Sequence, residues 1–430
     1  MLNRPVLREQ ITSGALDHRI ESLYCCEDES SVSSHRKRML DLLVRFGSEF
    51  GENENQVTIF SSPGRTELGG NHTDHQNGIV LAASVDLDML ACAAPNGTDK
   101  VRIDSVGYPK LTVDLSELTP RKEEEETSNA LVRGIASAIA DMGLEPRGFD
   151  ACITSQIPAG SGLSSSAAYE VLIGTIINSL FCGGALSSIK IAQIGQYAEN
   201  NFFGKPCGLM DQMACAVGGI IAIDFINPPQ PAVKKVHYNF ADSGYTLCII
   251  DTGADHADLT GAYADITKEM KAVAAAFGKQ VLRDVDEAEF HRAIPELRKK
   301  VGDRAILRSQ HCFSDTRRAD KLARALEAGG VEEYLALVRE TGKSSGLYLQ
   351  NLYPDTTPQE QPVTVAICMA ERYLEGRGAV RVQGGGFAGT IQAYAPDDVR
   401  DEFKGRMELL LGPGKCHFVK IRPEGGCAVV

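Results

Sequence analysis

Glycines and serines are concentrated in residues 157–170, IPAGSGLSSSAAYE, directly before an apolar stretch of helical character. Gly160 and Gly162 remove side chains just ahead of that helix, and the serines at 164–166 open it. Unpaired N–H groups and the positive end of the helix dipole then face the loop, which predicts an anion site suited to nucleotide phosphates. A hydroxyl in this turn can also ligate Mg²⁺. Taken alone, the segment is explained as simply by a serine cap after a flexible loop.

Polar residues crowd a second segment, residues 61–78, SSPGRTELGGNHTDHQNG. Its guanidinium, carboxylates, amide and imidazole supply donors and acceptors of several geometries, which suits a polyhydroxylated ligand such as a sugar. The side chains concerned are those of Arg65, Glu67, Asn71, His72 and Asp74. The alternatives are a hydrated turn with capping residues, or metal ligation by His72 and Asp74, for which no third ligand is evident nearby.

A third segment, VQGGGFAGT at residues 382–390, holds Gly384, Gly385 and Gly386 between two predicted strands. Three glycines cost backbone entropy and offer no packing, so they indicate either a tight turn or a backbone that closes over phosphate or substrate. Neither G-x-x-x-x-G-K-[ST] nor a strand–G-x-G-x-x-G–helix pattern occurs, which excludes a Walker loop and a dinucleotide fingerprint.

The elements that must position these segments alternate irregularly between strands and helices, which favours an α+β fold over a doubly wound sheet. Helical spacing begins near Ser34, and GIVLAASVDLDMLACAAPNG predicts two β segments. A Pro-containing stretch, NPPQPAVKKVHYNFADSG, suggests a boundary. The sequence therefore predicts an extension over residues 1–35, an N-terminal domain over 36–230 and a C-terminal domain over 231–430.

Composition limits the class of protein further. The 430 residues are 43% hydrophobic and 23% charged with a net charge of −13, which is ordinary for a globular protein and argues against a nucleic-acid binder. No uninterrupted apolar run predicts a transmembrane helix, and the N-terminus lacks the apolar core of a signal peptide. The 12 Cys include no C-x-x-C pair, so we expect a reduced cytoplasmic protein with free thiols and no membrane partner.

Four segments together resemble the galactokinase branch of the kinase superfamily that acts on galactose, homoserine, mevalonate and phosphomevalonate (GHMP kinases). GRTELGGNHTDHQNG resembles the galactokinase signature, in which G-R-x-N-L-I-G-E-H-T-D-Y is typical. IPAGSGLSSSAA resembles the central phosphate motif, KPCGLMDQ (205–212) the segment with the catalytic Asp, and GGGFAG the third motif. They occur in the family's order between residues 61 and 390, and residues 1–35 lie outside the resemblance.

The resemblance implies a two-domain fold with a cleft, and transfer of the γ-phosphate of ATP to the anomeric hydroxyl of galactose with Mg²⁺. Asp211 matches the catalytic carboxylate, and Arg65 the arginine that keeps it ionised. The positions that match or replace sugar ligands are Glu67, Asn71, His72, Asp74, Asp211 and Tyr263. Ser166 and Glu199 match the Mg²⁺-associated hydroxyl and carboxylate. The phosphate loop matches Gly160, Ser161, Gly162, Leu163, Ser164, Ser165 and Ser166.

The departures from the family pattern concern the sugar. Glu67 stands for the family Asn, Asn71 for the family Glu and His75 for the family Tyr. The family Glu is expected to bind the 6-hydroxyl, and an uncharged Asn tolerates a carboxylate at C6, so galacturonate is a rival substrate. If Glu67 points into the pocket, its charge favours galactose again; if it turns away, galacturonate gains. The alternative explanation of these departures is sequence drift within a divergent galactokinase branch, with no change of substrate.

Two further functions compete with the sugar kinase. A non-catalytic sugar sensor on the same fold would have lost phosphate-motif residues, whereas LSSSAA and Asp211 are present here. A mevalonate or homoserine kinase would not need the polar sugar segment.

We expect small-molecule partners and a monomer or weak homo-oligomer. Arg381 is interpreted as a substrate-positioning residue or a structural ion pair, and His311 and Cys312 as packing residues.

Overall fold

The computed structural model describes residues 1–51, 56–158, 160–253 and 259–430. The strands are β1 (Leu2–Asn3), β2 (Gln56–Gly69), β3 (Ile79–Pro95), β4 (Lys100–Ser105), β5 (Leu111–Asp114), β6 (Phe149–Ser155), β7 (Ile220–Asp224), β8 (Ala232–Val236), β9 (Tyr245–Asp251), β10 (Ala379–Val382), β11 (Thr390–Pro396), β12 (Cys416–Val419) and β13 (Cys427–Ala428). The helices are α1 (Arg4–Thr12), α2 (Asp17–Tyr24), α3 (Glu29–Phe50), α4 (Ser128–Ala140), α5 (Ser165–Phe181), α6 (Ser188–Ala198), α7 (Met210–Val217), α8 (Thr260–Ala276), α9 (Glu287–Val301), α10 (Asp303–Glu327), α11 (Val331–Ser344), α12 (Pro362–Leu374) and α13 (Arg400–Leu411). In this described part, no helix is long and apolar enough to cross a membrane.

The larger sheet is built on the antiparallel pair β2 and β3, and its main path runs β1-β2-β3-β6-β4-β5. The prediction of two β segments over β3 is wrong, because β3 is one long strand with two successive partners. Residues 79–83 pair with β7, and residues 89–95 pair with β6. A strand that changes partner along its length stays hydrogen-bonded throughout, so no break is required between the halves. Because β2 is buried along nearly its whole length, it presents side chains to both covered faces.

The N-terminal residues form a helical layer on one face of this sheet, and this layer continues past residue 35, the predicted end of the extension. Helix α3 begins at Glu29 and crosses that boundary, with the Asp28 carboxylate accepting a hydrogen bond from the Ser31 N–H at 2.7 Å. Leu7 and Phe46 pack with Ile59 of β2 in one apolar cluster. Helices α1–α3 are amphipathic, and they bury their apolar faces against the sheet.

The smaller sheet has the order β10-β11-β9-β12, with α12 packed against it. The proposed boundary at residue 230 falls inside the larger sheet, because β8 pairs with β7 there. The C-terminal strand β13 also returns to the larger sheet and pairs with β2. Between the two sheets, the β2–β3 connection (70–78) faces α10 and the β10–β11 connection (383–389), which brings the second and third sequence segments (residues 61–78 and 382–390) together.

Candidate active site

A bidentate ion pair joins β2 to the first turn of α7. Arg65 donates from Nε and Nη2 to the two carboxylate oxygens of Asp211, both at 2.7 Å. The remaining guanidinium nitrogen, Nη1, donates to the carbonyl of Gly162 in the phosphate segment. The Arg65 side chain is 7% exposed, whereas that of Asp211 is 32% exposed, so the carboxylate is the partner that faces open space. The structure thus brings the two predicted catalytic residues together at the mouth of the phosphate loop.

The electrostatic setting of Asp211 favours its ionised form. Burial alone would raise the pKa of this carboxyl, but the charge and hydrogen bonds of Arg65 outweigh burial and hold the pKa below its usual value. The hydroxyl of Ser164 donates to the same carboxylate and acts in the same direction. Asp211 is therefore a carboxylate at neutral pH, ready to accept a hydrogen bond from a hydroxyl group.

The predicted phosphate loop has the backbone that its glycines suggest. Gly160 and Gly162 have φ of +72° and +64°, and Ser164, which directly precedes α5, has φ of +56°. A Cβ at Gly162 would lie 2.5 Å from Thr390 Oγ1, so the loop also requires glycine for close packing. The first N–H groups of α5 remain available to an anion. Ser164 differs from the prediction in that its hydroxyl bonds to Asp211, and Ala159 lies outside the described residues.

His72 and Asp74 lie on the β2–β3 connection, where the sequence predicts sugar ligands. Burial lowers the pKa of His72 to about 4, and its Nε2 lies 2.9 Å from the carbonyl oxygen of Gly385. Since a carbonyl can only accept, Nε2 carries the proton and Nδ1 is left as an acceptor. A Cβ at Gly208 would lie 2.0 Å from Asp74 Oδ2, so this glycine lets the segment containing Asp211 approach the sugar signature.

Glu67 and Asn71, which the sequence predicts as sugar-binding residues, are almost completely buried in this structure. Their residues are 2% and 0% exposed. The Glu67 carboxylate is paired with Arg381 and also accepts from Asn71 Nδ2 at 3.1 and 3.2 Å. Both side chains are buried because the fully buried guanidinium of Arg381 binds the Glu67 carboxylate, which in turn accepts hydrogen bonds from Asn71. Of the two interpretations of Arg381, the structure has the ion pair, and Glu67 turns towards it.

Three successive carbonyl groups of the third glycine segment accept hydrogen bonds from predicted sugar-binding residues. Asn71 Nδ2 lies 2.6 Å from Gly384 O, and His72 Nε2 lies 2.9 Å from Gly385 O. The Tyr263 hydroxyl donates to the carbonyl of Gly386 at 2.9 Å. A Cβ at Gly385 would lie 2.6 Å from the Tyr263 ring. The third segment therefore forms a backbone wall against the sugar segment.

The predicted magnesium ligands have oxygen donors suited to that cation. Ser166 lies half-buried in the first turn of α5, and Glu199 is 4% exposed just after α6. Gln212 Nε2 donates at 2.9 Å to carboxylates of both Glu199 and Glu170, and the other Glu170 oxygen has no partner among the described residues. Mg²⁺ takes one or two carboxylates together with substrate phosphates, which this donor set fits. In the described ranges, no group of three or more His, Cys, Asp or Glu side chains is arranged to hold a metal ion.

Sequence reasoning missed a second set of residues around this site. His311 and Asp315 on α10 bind the backbone of Asn71, and Asn351 Nδ2 donates to the Asn71 side-chain oxygen at 2.9 Å. His311 was interpreted as a packing residue, and it is fully buried. The spacing of His311 and Asp315 by four positions on one helix face was the signal that could have linked them.

Two family models match parts of the chain that contain Arg65 and Asp211. A family model described as "Galactokinase galactose-binding signature" matches residues 44–95, and one described as "GHMP kinases N terminal domain" matches residues 130–219. A galactokinase of Glaesserella parasuis serovar 5 is 30% identical over 364 residues, covering 83% of this chain and 89% of that protein.

Solved structures match over most of the chain. Lactococcus lactis galactokinase, crystallised with galactose, superposes with a TM-score of 0.76 at 24% identity and covers 89% of this chain and 97% of its own. Mevalonate kinase of Methanococcus jannaschii superposes with a TM-score of 0.60 at 14% identity and covers 85% and 98% of the two chains.

The α+β fold and the ordered glycine segments define a phosphotransferase of the GHMP kinase superfamily. Within that superfamily, the sugar signature and the relative at 30% identity mark a sugar kinase. The chain belongs to the galactokinase family.

Proposed function

We propose that the protein transfers the γ-phosphoryl group of ATP to the anomeric hydroxyl of D-galactose, giving galactose 1-phosphate and ADP. The observation that carries this proposal is the Arg65–Asp211 pair, which bonds to the phosphate loop through Gly162. An ionised carboxylate beside the N-terminus of α5 is the arrangement that phosphoryl transfer to a hydroxyl needs. The galactose-bound Lactococcus lactis structure gives the sugar class its support.

The contacts of these side chains support the following course of reaction. Asp211 accepts a hydrogen bond from the anomeric hydroxyl and directs its oxygen towards the γ-phosphorus. As the new P–O bond forms, the bond from the γ-phosphorus to the β–γ bridging oxygen breaks, ADP leaves, and the hydroxyl proton passes to the carboxylate. Arg65 offsets the charge that develops near Asp211, and the N–H groups at the start of α5 bind the phosphate oxygens.

Ser166 and Glu199 are the residues that would hold Mg²⁺, which supplies charge neutralisation on the transferred phosphate when bound. His72 would accept a hydrogen bond from a sugar hydroxyl through Nδ1, since its Nε2 already donates to Gly385. Asp74 would accept another, because its side chain is 12% exposed beside the same segment. Tyr263 would contribute the ring that borders Gly385.

Galacturonate is the second candidate substrate, and the ion pair between Glu67 and Arg381 supports this candidate. A carboxylate at C6 would be repelled by a free negative charge, but the charge of Glu67 is neutralised and Asn71 is uncharged. Replacing Asn71 by Glu is expected to lower kcat/KM for galacturonate more than for galactose. An unchanged ratio of the two kcat/KM values would remove residue 71 as the determinant of C6 specificity.

Sugar-dependent ADP release tests the proposed function. The protein is offered Mg·ATP with galactose, galacturonate, glucose, N-acetylgalactosamine or arabinose, and Asp211→Asn serves as the control. Turnover on galactose that the control abolishes supports the galactokinase assignment, and faster turnover on galacturonate supports the second candidate. Sugar binding without turnover of ATP would instead favour a non-catalytic sensor on this fold.

A further inference from the structure

The backbone of Asn71, in the middle of the sugar segment, is bound on both sides by one helix of the opposite half of the molecule. Its N–H donates to Asp315 Oδ2 at 2.8 Å, and its carbonyl oxygen lies 2.9 Å from His311 Nε2. Asn71, His311 and Asp315 are each 0% exposed. We propose that His311 and Asp315 are positioning residues for the sugar substrate, which act by fixing the peptide groups that orient His72.

The backbone of the sugar segment (residues 61–78) has conformations that need support from neighbouring groups. Gly70 has φ of +85°, and a Cβ there would lie 2.4 Å from the carbonyl oxygen of Ile79. His72 follows with φ of +58°, a left-handed conformation that is uncommon for residues other than glycine. Such a residue persists only where its surroundings hold it. The two bonds from α10 act on the residue directly before His72, so they hold the backbone turn that directs the imidazole.

We call the two hydrogen bonds from His311 and Asp315 to the Asn71 backbone the clamp. Side chains of α11 support both of its residues. His311 Nδ1 lies 2.9 Å from the Ser344 hydroxyl, and the Thr341 hydroxyl donates to Asp315 Oδ1 at 3.0 Å. Burial lowers the pKa of His311, so its imidazole is neutral, with Nε2 donating to Asn71 and Nδ1 accepting from Ser344. Arg318 also bonds to Asp315 and balances its charge. Each polar atom of the clamp thus has a defined partner, which fixes the direction of the helix-to-loop bonds.

This inference rests on the proposed function for the identity of the sugar. The contacts of His311 and Asp315 with Asn71 affect sugar binding and not phosphoryl transfer. His311 acts through Asn71 and His72, so its loss is expected to weaken sugar binding and leave ATP binding unchanged. Leaving the buried Asn71 carbonyl without a donor corresponds to about a tenfold weakening. A residue needed only for packing would instead lower the unfolding temperature without separating the two substrates.

Two amide substitutions at position 311 separate the two bonds of the imidazole. His311→Gln keeps a donor near the place of Nε2, whereas His311→Asn keeps only an amide near Nδ1 and loses the bond to Asn71. We expect His311→Asn to raise the KM for galactose about tenfold or more, and His311→Gln to stay within about threefold of the wild type. The KM for ATP should change less than twofold in both. Cys312→Ala, at a neighbouring position that is 3% exposed, is the matched packing control and should change neither KM.

The outcomes separate this inference from the proposed function. If the wild type binds galactose in calorimetry but releases no ADP, the proposed function fails, and the dissociation constants of the same variants test the clamp. Equal galactose affinities for His311→Asn and His311→Gln, or a rise in the KM for ATP as large as that for galactose, would overturn the clamp. If His311→Asn does not fold, Asp315→Asn is measured against Cys312→Ala with the same expected rise in the galactose KM.

Discussion

Removing Arg381 should destabilise the protein strongly, because it leaves the Glu67 carboxylate buried without its cation. The two side chains are 0% and 2% exposed, and the pair joins β10 to β2 across the molecule. Breaking a buried pair from one side typically costs about 3–5 kcal/mol. We therefore expect Arg381→Met to lower the free energy of unfolding by about that amount in urea denaturation at pH 7. Removing both charges in Arg381→Met/Glu67→Gln should recover most of the loss, because no unpaired charge then remains.

The loss of stability in Arg381→Met should also depend on pH, in a direction that the pKa of Glu67 fixes. Burial raises the pKa of Glu67 above its ordinary value even with Arg381 present, and loss of Arg381 removes a cause that opposes this rise. A carboxyl group whose pKa is higher in the folded state than in the unfolded state makes the protein lose stability as the pH rises from the unfolded-state pKa to the folded-state pKa. The deficit of Arg381→Met should accordingly shrink when the pH is lowered from 7 to 5. A double variant no more stable than the single one, or a deficit that grows at pH 5, would refute the reasoning.

Three further outcomes follow from particular contacts. Ser164→Ala removes a hydrogen bond that lowers the pKa of Asp211, so the acidic limb of the kcat/KM profile should move to higher pH; an unmoved limb would contradict this role. Gly385→Ala places a Cβ 2.6 Å from the Tyr263 ring and should lower kcat/KM for sugar about 10- to 100-fold, whereas Gly405→Ala, with nothing within 4 Å, should not; equal effects in steady-state kinetics would exclude the steric argument. Ile20→Ala should lower the free energy of unfolding by about 2–5 kcal/mol because Ile20 is fully buried in the N-terminal layer, and an unchanged urea midpoint would show that this layer adds no stability.

The sequence was sufficient for the elements whose signals are local. Glycines and serines before an apolar helical run predicted the turn at Gly162 and the start of α5, and both lie where expected. The sequence did not indicate the single long strand β3, because its change of partner from β7 to β6 depends on strands far along the chain.

The same limit applies within the candidate site. Spacing identified Glu67 and Asn71 as polar groups, but the direction of the Glu67 carboxylate is decided by Arg381, which lies 314 residues away in the chain. The support from His311 is likewise invisible before α10 is packed against the sugar segment. The family resemblance thus indicated which segments form one site, and tertiary pairing decides the directions of their side chains.

Sugar-dependent ADP release by the wild type and by Asp211→Asn tests the central claim most directly. Unfolding curves and ATP binding first establish that the variant is folded, because the substitution also weakens the bidentate pair with Arg65. We expect galactose-dependent turnover by the wild type and a fall in kcat of about 10²- to 10⁴-fold in the folded variant. A folded Asp211→Asn protein that keeps the wild-type rate, or a wild type that releases no ADP with any of the sugars, would contradict the account.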